Sequence, residues 1–501
     1  MADLSAQRME SAGVGYSMTV AAATMLLVPL VFMLKKLLFP NFDPREPPVL
    51  RPRLPVFGHI ISLVRESGSF YARLYAKQGE KNADLHTADV AWQDVCGKLA
   101  ISDRSGYASR RHLLDAFSDR GLVSRAGSSE ASHRHHYATS NLAPPRANDG
   151  GKSTPGRAAQ DESPLEESDG FEWIKGVLTM ATATALYGKD NMWTAEMLDD
   201  LWTFEKGVAL LAMKVAPNLV APKAIAARQK MSDLIRPFYQ ARKDENSDVA
   251  KILQDRARYL REPGMPSEDL SQTEFVIFVA ATLNTASSLF WTFAEVFSRP
   301  EYIERIRQEV LRVAVETKNE TGRDVTINAK NLEADCPFLG ACFREVLRLH
   351  SAQVGYRRVM KDTTLEDADG RRYLLKEGTN MQWSASVTHF MPEIWGDDAA
   401  SFKPERFLDV DPRGEKRRRG ALIPFGGGRY LCPGRHFART ETLGFVSALA
   451  LGFDVDGVKV PAAEAPPLSG ATRRPAGNRA VGNTKVSRRE GWEDVTWRFV
   501  C

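Results

Sequence analysis

The sequence predicts a mainly α-helical protein with a small β part, preceded by one membrane-spanning helix. Apolar residues recur with helical spacing through most of the downstream half of the chain. Between Tyr356 and Trp383 the pattern changes to short alternating pieces around the turn sequence DADGRRY, which indicates a small sheet. A run near the amino terminus carries no charge and is long enough to cross a bilayer.

That amino-terminal run, VGYSMTVAAATMLLVPLVFML, covers residues 14–34 and ends at Lys35 and Lys36. Basic residues after a membrane span keep the following domain on the cytosolic side. We therefore predict a membrane anchor over residues 1–38; a cleaved signal peptide and a buried helix are the alternatives. The prolines of residues 39–56 predict a stiff, extended linker to the main domain.

Six stretches of the main domain predict helices, and one of them is apolar on nearly every side. Residues 271–299 contain Gln272 and Asn284 among apolar residues and are followed by Pro300. A helix that is apolar all round is buried or spans a membrane, and the polar residues favour a buried central helix. The predicted helices cover residues 171–186, 196–215, 271–299, 301–315, 336–349 and 439–451.

Composition excludes several classes of protein. The 67 basic and 63 acidic residues leave a net charge of +4, which predicts no nucleic-acid partner. The five cysteines are an odd, scattered set and predict a reducing compartment rather than a disulfide framework. Cys336, Cys342 and His350 do not match the common spacings of zinc ligands.

Residues 124–170 differ from the rest of the chain because they are rich in Ser, Gly, Pro, Ala and charge. Such a segment buries too little apolar surface to order itself, so we predict a low-complexity, disordered insertion. His133, His135 and His136 lie within it, where a metal site is the alternative to a solvated loop.

The stretch PFGGGRYLCPGRHFA, residues 424–438, places one cysteine in a glycine-rich loop before a predicted helix. The glycines allow backbone conformations that other residues resist, and they let the backbone approach a large flat group. Pro433 is suited to the first turn of a helix, which would put Cys432 just before the helix amino terminus. Amide dipoles at that position stabilise a thiolate, so Cys432 is a candidate metal ligand.

Two charged motifs precede this loop along the chain. Glu345 and Arg348, in FREVLRLH, share one helix face, and FKPERF follows at residues 402–407. Each motif alone is a weak signal, but in this order with the cysteine loop the set resembles the cytochrome P450 family. The resemblance is strongest from residue 271 to residue 451, and it implies the cytochrome P450 fold over residues 57–501.

The resemblance implies a role for each residue of the loop. Cys432 resembles the axial thiolate ligand of haem b, iron-protoporphyrin IX. Phe425 resembles the aromatic residue that packs near the sulfur, and Gly428 and Gly434 resemble the glycines of the haem-binding loop.

Three charged residues resemble the triad that braces this loop from behind: Glu345, Arg348 and Arg406. Such a triad is physically reasonable only if all its members are paired, because one orphaned buried charge is costly. Its implied role is structural rather than catalytic.

The haem propionates have a less regular set of partners. Arg357 resembles one propionate-binding arginine, whereas Tyr430 stands where many relatives carry a basic residue and Arg429 lies one place earlier. The family also has an upstream helix with a tryptophan and a basic residue four positions later. Trp92 and Trp173 lack that basic partner, so no such helix is found in the sequence.

The central helix departs from the commonest family pattern. Asn284 occupies the position of the usual alcohol side chain, Leu283 that of the usual acid, and Thr285 follows. Asn284 can donate and accept hydrogen bonds, and Thr285 could assist, so both are candidate catalytic residues. Residues 353–355, Ala280 and Ala281 would line the substrate pocket. Together with CPGR at residues 432–435, the pattern is similar to the branch of sterol 7α- and 12α-hydroxylases and prostacyclin synthase.

The resemblance implies a monooxygenase that inserts one oxygen atom from O2 into a hydrophobic small molecule, such as a sterol, a terpenoid or another secondary metabolite. Electrons would come from NADPH through cytochrome P450 reductase, at the endoplasmic reticulum membrane with the haem domain cytosolic. Two alternatives stay open: a haem-thiolate isomerase or dehydratase that needs no reductase, and an inactive remnant without haem.

Overall fold

The computed structural model describes residues 165–167, 169–212, 216–318, 322–366, 370–408, 411–428, 431–464, 470–476 and 484–500, together with Arg73. The predicted anchor (1–38), the linker (39–56) and residues 124–164 lie outside these ranges. The end of the low-complexity segment belongs to the fold. Leu165–Glu167 forms a strand, Leu165 packs against the core, and Asp169 caps the first helix.

Most of the described chain is helical, as the sequence predicts. The helices are α1 (Gly170–Tyr187), α2 (Ala195–Ala212), α3 (Pro217–Val220), α4 (Pro222–Gln240), α5 (Lys251–Arg261), α6 (Ser267–Phe297), α7 (Pro300–Val313), α8 (Leu332–Asp335), α9 (Pro337–His350), α10 (Ala385–Thr388), α11 (Pro392–Trp395), α12 (Pro412–Ala421) and α13 (Arg435–Gly452). The 3₁₀ turns are Lys243–Glu245 and Pro404–Phe407. The six predicted helices correspond to α1, α2, α6, α7, α9 and α13.

The strands are short. They are β1 (Leu165–Glu167), β2 (Val315–Lys318), β3 (Arg323–Asn328), β4 (Val354–Arg358), β5 (Thr363–Glu366), β6 (Arg372–Leu375), β7 (Asn380–Ser384), β8 (Phe453–Asp456), β9 (Ala463–Glu464), β10 (Arg474–Pro475), β11 (Thr484–Arg488) and β12 (Val495–Val500). One sheet has the order β1-β11-β8, and another has the order β12-β3-β2 with β12 parallel to β3. Pairing between strands far apart in sequence thus joins the two ends of the described chain.

The protein divides into two compact units. The larger one comprises the described residues within 67–356 and 382–501, and helix α6 is its central helix. Helices α1, α4, α9 and α13 all pack against it. Aromatic rings fill these contacts: Phe290 meets Phe171 with ring centroids 5.1 Å apart, and Phe293 meets Trp173 at 5.7 Å. Among the described residues α6 is the one helix that is long and apolar enough to cross a membrane, and most of it is buried inside the protein. The burial of α6 agrees with the prediction of a central core helix.

Two helices begin four residues earlier than the sequence predicts. Helix α6 begins at Ser267 rather than at residue 271, because Glu268 and Asp269 stabilise its positive amino-terminal end. Helix α13 begins at Arg435 rather than at residue 439, directly after its N-cap Gly434. The cysteine loop is therefore followed at once by a long helix.

The smaller unit comprises residues 357–381 among the described part of the chain. Within it, β5 and β6 pair antiparallel, from Thr363 opposite Leu375 to Glu366 opposite Arg372. The backbone N–H of Val359 donates to the carbonyl oxygen of Thr379 at 2.8 Å. This unit is the small sheet that the alternating pattern around DADGRRY predicts.

Candidate functional site

The cysteine loop, residues 423–434, turns sharply twice before it reaches the thiol. Gly426 and Gly428 have φ angles of 77° and 62°, which favour glycine. The backbone N–H of Cys432 donates to the carbonyl oxygen of Phe425 at 3.0 Å and closes the loop. Pro433 lies in a turn before the N-cap Gly434, not in the first helical turn as predicted, because the helix starts two residues later.

The side chain of Cys432 is half-buried. A Cβ atom added to Gly434 would lie 3.8 Å from the sulfur, and a Cβ atom added to Gly427 would meet nothing within 4 Å. The guanidinium of Arg435 donates through Nη1 to the carbonyl oxygen of Cys432 at 3.0 Å. Arg435 thus fixes the peptide unit that carries the thiol, a role that the letters CPGR alone did not reveal.

The predicted charge triad is assembled behind this loop and is fully paired. Arg348 donates to Glu345 through Nε at 2.7 Å and through Nη2 at 2.8 Å, a two-point contact. Arg406 donates through Nε to the same carboxylate at 3.2 Å. The exposed fractions of Glu345 and Arg348 are 0%, so each charge depends on its partners rather than on water.

The remaining donors of the triad hold the backbone that leads to the loop. Nη1 of Arg348 donates to the carbonyl oxygens of His389 and Ala399, at 2.7 Å each. Nη2 of Arg406 donates to the carbonyl oxygen of Asp398 at 2.5 Å. The guanidinium of Arg406 also lowers the pKa of the Asp398 carboxyl to about 2. These contacts bind a stretch with little regular structure to helix α9.

Ile423, the first residue of the cysteine loop, is held by two residues to which the sequence analysis gave no role in the loop. The backbone N–H of Ile423 donates to Nε2 of His389 at 2.9 Å, and the side-chain amide of Gln353 donates to the carbonyl oxygen of Ile423. Gln353 was expected to line the substrate pocket, but its amide group is committed to the loop. Burial lowers the pKa of His389 to about 3, so this imidazole is neutral.

The central helix α6 is largely buried, but its middle part carries a stripe of exposed residues. Val276, Ala280 and Asn284 follow one another at four-residue spacing and are exposed, whereas Phe278 and Ala286 are fully buried. The stripe is apolar at Val276 and Ala280 and polar at Asn284, and the same spacing continues to exposed Gln272. Helix α6 itself packs against α13, the helix that follows the cysteine loop.

Asn284 is tied to a distant loop through one of its two side-chain groups. The backbone N–H of Ala471 lies 3.0 Å from the side-chain oxygen of Asn284. A backbone N–H can only donate, so the atom that faces it must be the amide oxygen. The amide nitrogen is then the group left over for another partner.

Thr285 and Leu283, the neighbours of Asn284, are buried with exposed fractions of 4% and 8%. The structure therefore places Asn284 on the open stripe and Thr285 away from it. Serine hydroxyl groups of the next turn donate hydrogen bonds to backbone carbonyl oxygens around Asn284. The hydroxyl of Ser288 donates to the carbonyl oxygen of Asn284 at 3.0 Å, and that of Ser287 donates to the carbonyl oxygen of Leu283 at 3.3 Å. Such contacts are typical of helices that bend.

The two predicted propionate ligands, Arg429 and Arg357, stay predictions. Arg429 and its neighbour Tyr430 lie outside the described residues. Arg357 is half-buried and opens the smaller unit, within strand β4. Their contacts with a haem group stay a prediction.

The chemistry of the site fits a haem group. One thiol stands just before the long helix α13, and α6, which packs against α13, exposes the apolar residues Val276 and Ala280. Within the described ranges, no three His, Cys, Asp or Glu side chains lie close enough together to hold a metal ion. A lone thiolate suits iron that a macrocycle already ligates, and it does not suit zinc, which needs about four protein ligands in a structural site.

Comparisons with known proteins agree with this geometry. The family model described as "Cytochrome P450" matches residues 194–477. A "Cytochrome P450 monooxygenase" of Gibberella zeae is 31% identical over 94% of this chain and 94% of the relative. A rabbit (Oryctolagus cuniculus) "7-alpha-hydroxycholest-4-en-3-one 12-alpha-hydroxylase" is 24% identical over 85% of this chain and 89% of the relative.

Among solved structures, the retinoic acid-bound cyanobacterial CYP120A1 superposes with a TM-score of 0.51 at 21% identity, over 66% of this chain and 71% of that one. This likeness bears on the fold alone. Together with the match to the family model, it confirms the predicted cytochrome P450 fold, whereas the transmembrane helix before it stays a prediction. The chain belongs to the cytochrome P450 family, whose members bind haem through an axial cysteine thiolate and act as oxidoreductases.

Proposed function

We propose that this protein is a haem-thiolate monooxygenase that inserts one oxygen atom from O2 into a hydrophobic small molecule, with Cys432 as the axial ligand. The observation that carries the proposal is the loop of Cys432, closed by its hydrogen bond to Phe425 and followed directly by α13. When bound, a thiolate-ligated haem supplies O2 activation, because the thiolate favours cleavage of the O–O bond.

The protein's own residues position and shield that chemistry. The triad of Glu345, Arg348 and Arg406 holds the backbone behind the loop, so the thiol has one defined place. Phe425 is partly buried against the core and limits access of water to the loop. On α6, the amide nitrogen of Asn284, which makes no hydrogen bond to the described part of the chain, offers a donor that can orient a substrate oxygen or a water molecule.

The substrate class follows from the open stripe of α6. Val276 and Ala280 offer only apolar surface, and Asn284 adds one polar group. A largely apolar pocket with one polar contact suits a rigid hydrophobic molecule that carries few oxygens, such as a sterol or a terpenoid. The rabbit relative acts on a sterol by its name, which supports this class for the present chain.

Electrons would come from NADPH through a reductase with an acidic docking surface. Helix α12, sequence PRGEKRRRGA, ends just before the cysteine loop and carries the exposed basic side chains of Arg413, Lys416 and Arg417. The guanidinium of Arg418 on the same helix donates to the carbonyl oxygen of Arg406, which joins the helix to the triad. A basic patch beside the haem-binding loop favours an acidic electron carrier.

We place the enzyme at the endoplasmic reticulum membrane through the predicted anchor over residues 1–38, with the haem domain in the cytosol. The uncharged run of residues 14–34 and the basic pair after it support this topology. Extraction of the tagged protein with carbonate tests the anchor: an integral protein stays in the pellet, and deletion of residues 1–38 should release it. A full-length protein that leaves the membrane with carbonate would contradict it.

One observation favours a second candidate, a haem-thiolate isomerase or dehydratase. Leu283 is apolar and Asn284 cannot ionise, so this turn of α6 has no carboxylic acid to relay protons. A reaction that only rearranges a peroxide needs neither such protons nor a reductase.

The experiment that separates the candidates is a substrate screen with the purified full-length protein, run with and without NADPH and reductase. The monooxygenase reading predicts product that gains one oxygen atom from 18O-labelled O2 and only when reductase and NADPH are present. Conversion of an organic peroxide without NADPH, with no label incorporated, would contradict that reading and support the isomerase.

A further inference from the structure

His389 is a fully buried imidazole that lies between the charge triad and the cysteine loop. Its exposed fraction is 0%, and both of its ring nitrogens are hydrogen-bonded. Nε2 lies 2.9 Å from the backbone nitrogen of Ile423, whose N–H can only donate, so Nε2 is the acceptor. Nδ1 therefore carries the proton, and it donates to the carbonyl oxygen of Arg348 at 2.9 Å.

Arg348 returns this contact. Its Nη1 donates to the carbonyl oxygen of His389 at 2.7 Å, so each residue bonds through its side chain to the backbone of the other. Breaking either bond would leave a buried donor or acceptor unsatisfied, which is costly inside a protein. The reciprocal pair ties His389 to the triad as one unit.

On its other side His389 holds the residue where the loop begins. The carbonyl oxygen of Ile423 accepts from the N–H of Gly426 at 3.1 Å, which sets the first turn, and Phe425 within that turn accepts from the N–H of Cys432 at 3.0 Å. A continuous series of hydrogen bonds thus runs from the triad through His389 and Ile423 to the peptide of the cysteine.

We propose that His389 is a positioning residue that transmits the bracing of the triad to Cys432, through the bond between Nε2 and the N–H of Ile423. The inference rests on the proposed function, in which Cys432 binds the haem iron. His389 contacts neither substrate nor haem in this scheme and acts only through the loop.

A pair of substitutions separates the two bonds of the imidazole. The side-chain oxygen of glutamine can reach the place of Nε2, whereas the amide of asparagine reaches only the place of Nδ1. His389→Gln can keep the acceptor for Ile423 and lose the bond to Arg348. His389→Asn can keep the bond to Arg348 and leave the N–H of Ile423 unsatisfied.

The first readout is the spectrum of the reduced, carbon monoxide-bound full-length protein. We expect His389→Gln to match the wild type, and His389→Asn to raise the ratio of thiolate-free to thiolate-ligated haem about tenfold, the cost of one unsatisfied buried donor. The second readout is amide hydrogen exchange of the peptide that contains Ile423, which needs no haem. The amide hydrogens of this peptide should exchange faster in His389→Asn than in the wild type. In His389→Gln they should exchange at the wild-type rate.

His350→Asn is the matched control. This imidazole is also buried, stacks on Trp291 at 3.8 Å and bonds to Glu295 at 3.3 Å, but it does not hydrogen-bond to Ile423. It should leave the spectral ratio and the exchange of the loop peptide unchanged.

Three outcomes would overturn the inference. Wild-type spectra and exchange in His389→Asn, or equal losses in both His389 variants, would show that the acceptor at Nε2 does not position the loop. If the wild type binds haem without thiolate ligation, the proposed function itself fails and the inference fails with it. In the first two outcomes the proposed function is unaffected, provided that the wild type shows the spectrum of thiolate-ligated haem.

Discussion

The two side-chain atoms of Asn284 differ: its oxygen is hydrogen-bonded, whereas its amide nitrogen has no partner among the described residues, and this difference limits what the residue can do. Its oxygen accepts from the N–H of Ala471 at 3.0 Å and so joins α6 to a segment far away in the chain. The nitrogen can donate but cannot accept a proton. The sequence led us to expect both functions at this position, and only the three-dimensional contact assigns one to each atom.

We predict that Asn284→Asp separates these roles. An aspartate keeps an acceptor for Ala471 but removes the donor, whereas Asn284→Ala removes both. If the donor orients the substrate or water, both variants should lower kcat by about tenfold, the loss of ~1.4 kcal/mol in the transition state, at normal haem content. Steady-state kinetics at equal haem content measures kcat for each variant. A normal kcat in Asn284→Asp together with a low kcat in Asn284→Ala would contradict the role of the donor and show that the bond to Ala471 is what matters.

Glu345 is the centre of the triad because it accepts from both arginines and from the backbone N–H of Lys403 at 3.0 Å. We predict that Glu345→Ala lowers haem content rather than turnover per haem, because it orphans the fully buried Arg348. Removal of one partner of a buried ion pair costs about 3–5 kcal/mol. The pyridine haem assay and activity per haem measure the two effects.

Glu345→Gln is the control for this prediction. It removes the charge but keeps hydrogen-bonding capacity, so its haem loss should be smaller than that of Glu345→Ala. Normal haem occupancy and unfolding in Glu345→Ala would refute the bracing role.

At the scale of elements, α13 meets α1 through a buried carboxyl group that the loop motif did not bring to notice. Thr182 of α1 donates to Glu441 of α13 at 2.9 Å, and within the described ranges the other carboxyl oxygen has no hydrogen-bond partner. Burial raises the pKa of Glu441 to about 8. The contact between the two helices therefore favours the protonated carboxyl.

This predicts how stability depends on pH. Glu441 binds a proton more tightly in the folded state, so its contribution is fully present below its ordinary pKa and is lost as pH rises toward about 8. Between the ordinary pKa of a glutamate and the raised pKa of Glu441, the free energy of unfolding should fall by about 1.4 kcal/mol per pH unit. Glu441→Gln should remove this slope, and urea unfolding of both proteins across the range measures it. Equal slopes for the two proteins would contradict the burial of a neutral carboxyl.

Helix α12 leads to a prediction about the electron donor. Reversal of an exposed charge in Arg417→Glu should weaken binding of an acidic reductase and raise the KM for reductase. The difference in KM between the variant and the wild type should grow as the salt concentration falls. Arg228→Glu on α4 is the matched control, since that arginine is also exposed but lies on a different helix. An equal effect of both substitutions, or none, would remove α12 from the docking surface.

The elements also show what local sequence could predict. Helices α6 and α9 carry many apolar residues and were predicted with small errors at their ends. Helix α12 was missed because it has no apolar face; Asp411 caps it by accepting from the N–H groups of Arg413 and Gly414. The strand Leu165–Glu167 was also missed, because its partner Thr484–Arg488 lies at the other end of the chain.

At the scale of the whole molecule, the fold brings together motifs that are separate in sequence. Residues 345–348, 402–407 and 424–438 lie apart along the chain, yet the triad, His389 and the loop form one hydrogen-bonded body. The sequence could predict the triad and Cys432, because each stands in a recognisable motif. It could not predict His389, since its partners are backbone atoms whose positions depend on the whole fold.

The central claim is that Cys432 ligates haem iron and that this body holds it in place. The most direct test is the spectrum of the expressed full-length protein, reduced and bound to carbon monoxide, beside that of Cys432→Ser. The account predicts a Soret band at the long wavelength typical of thiolate-ligated haem, and its loss in Cys432→Ser. No haem band, only the band of thiolate-free haem, or a long-wavelength band that survives in Cys432→Ser would contradict it.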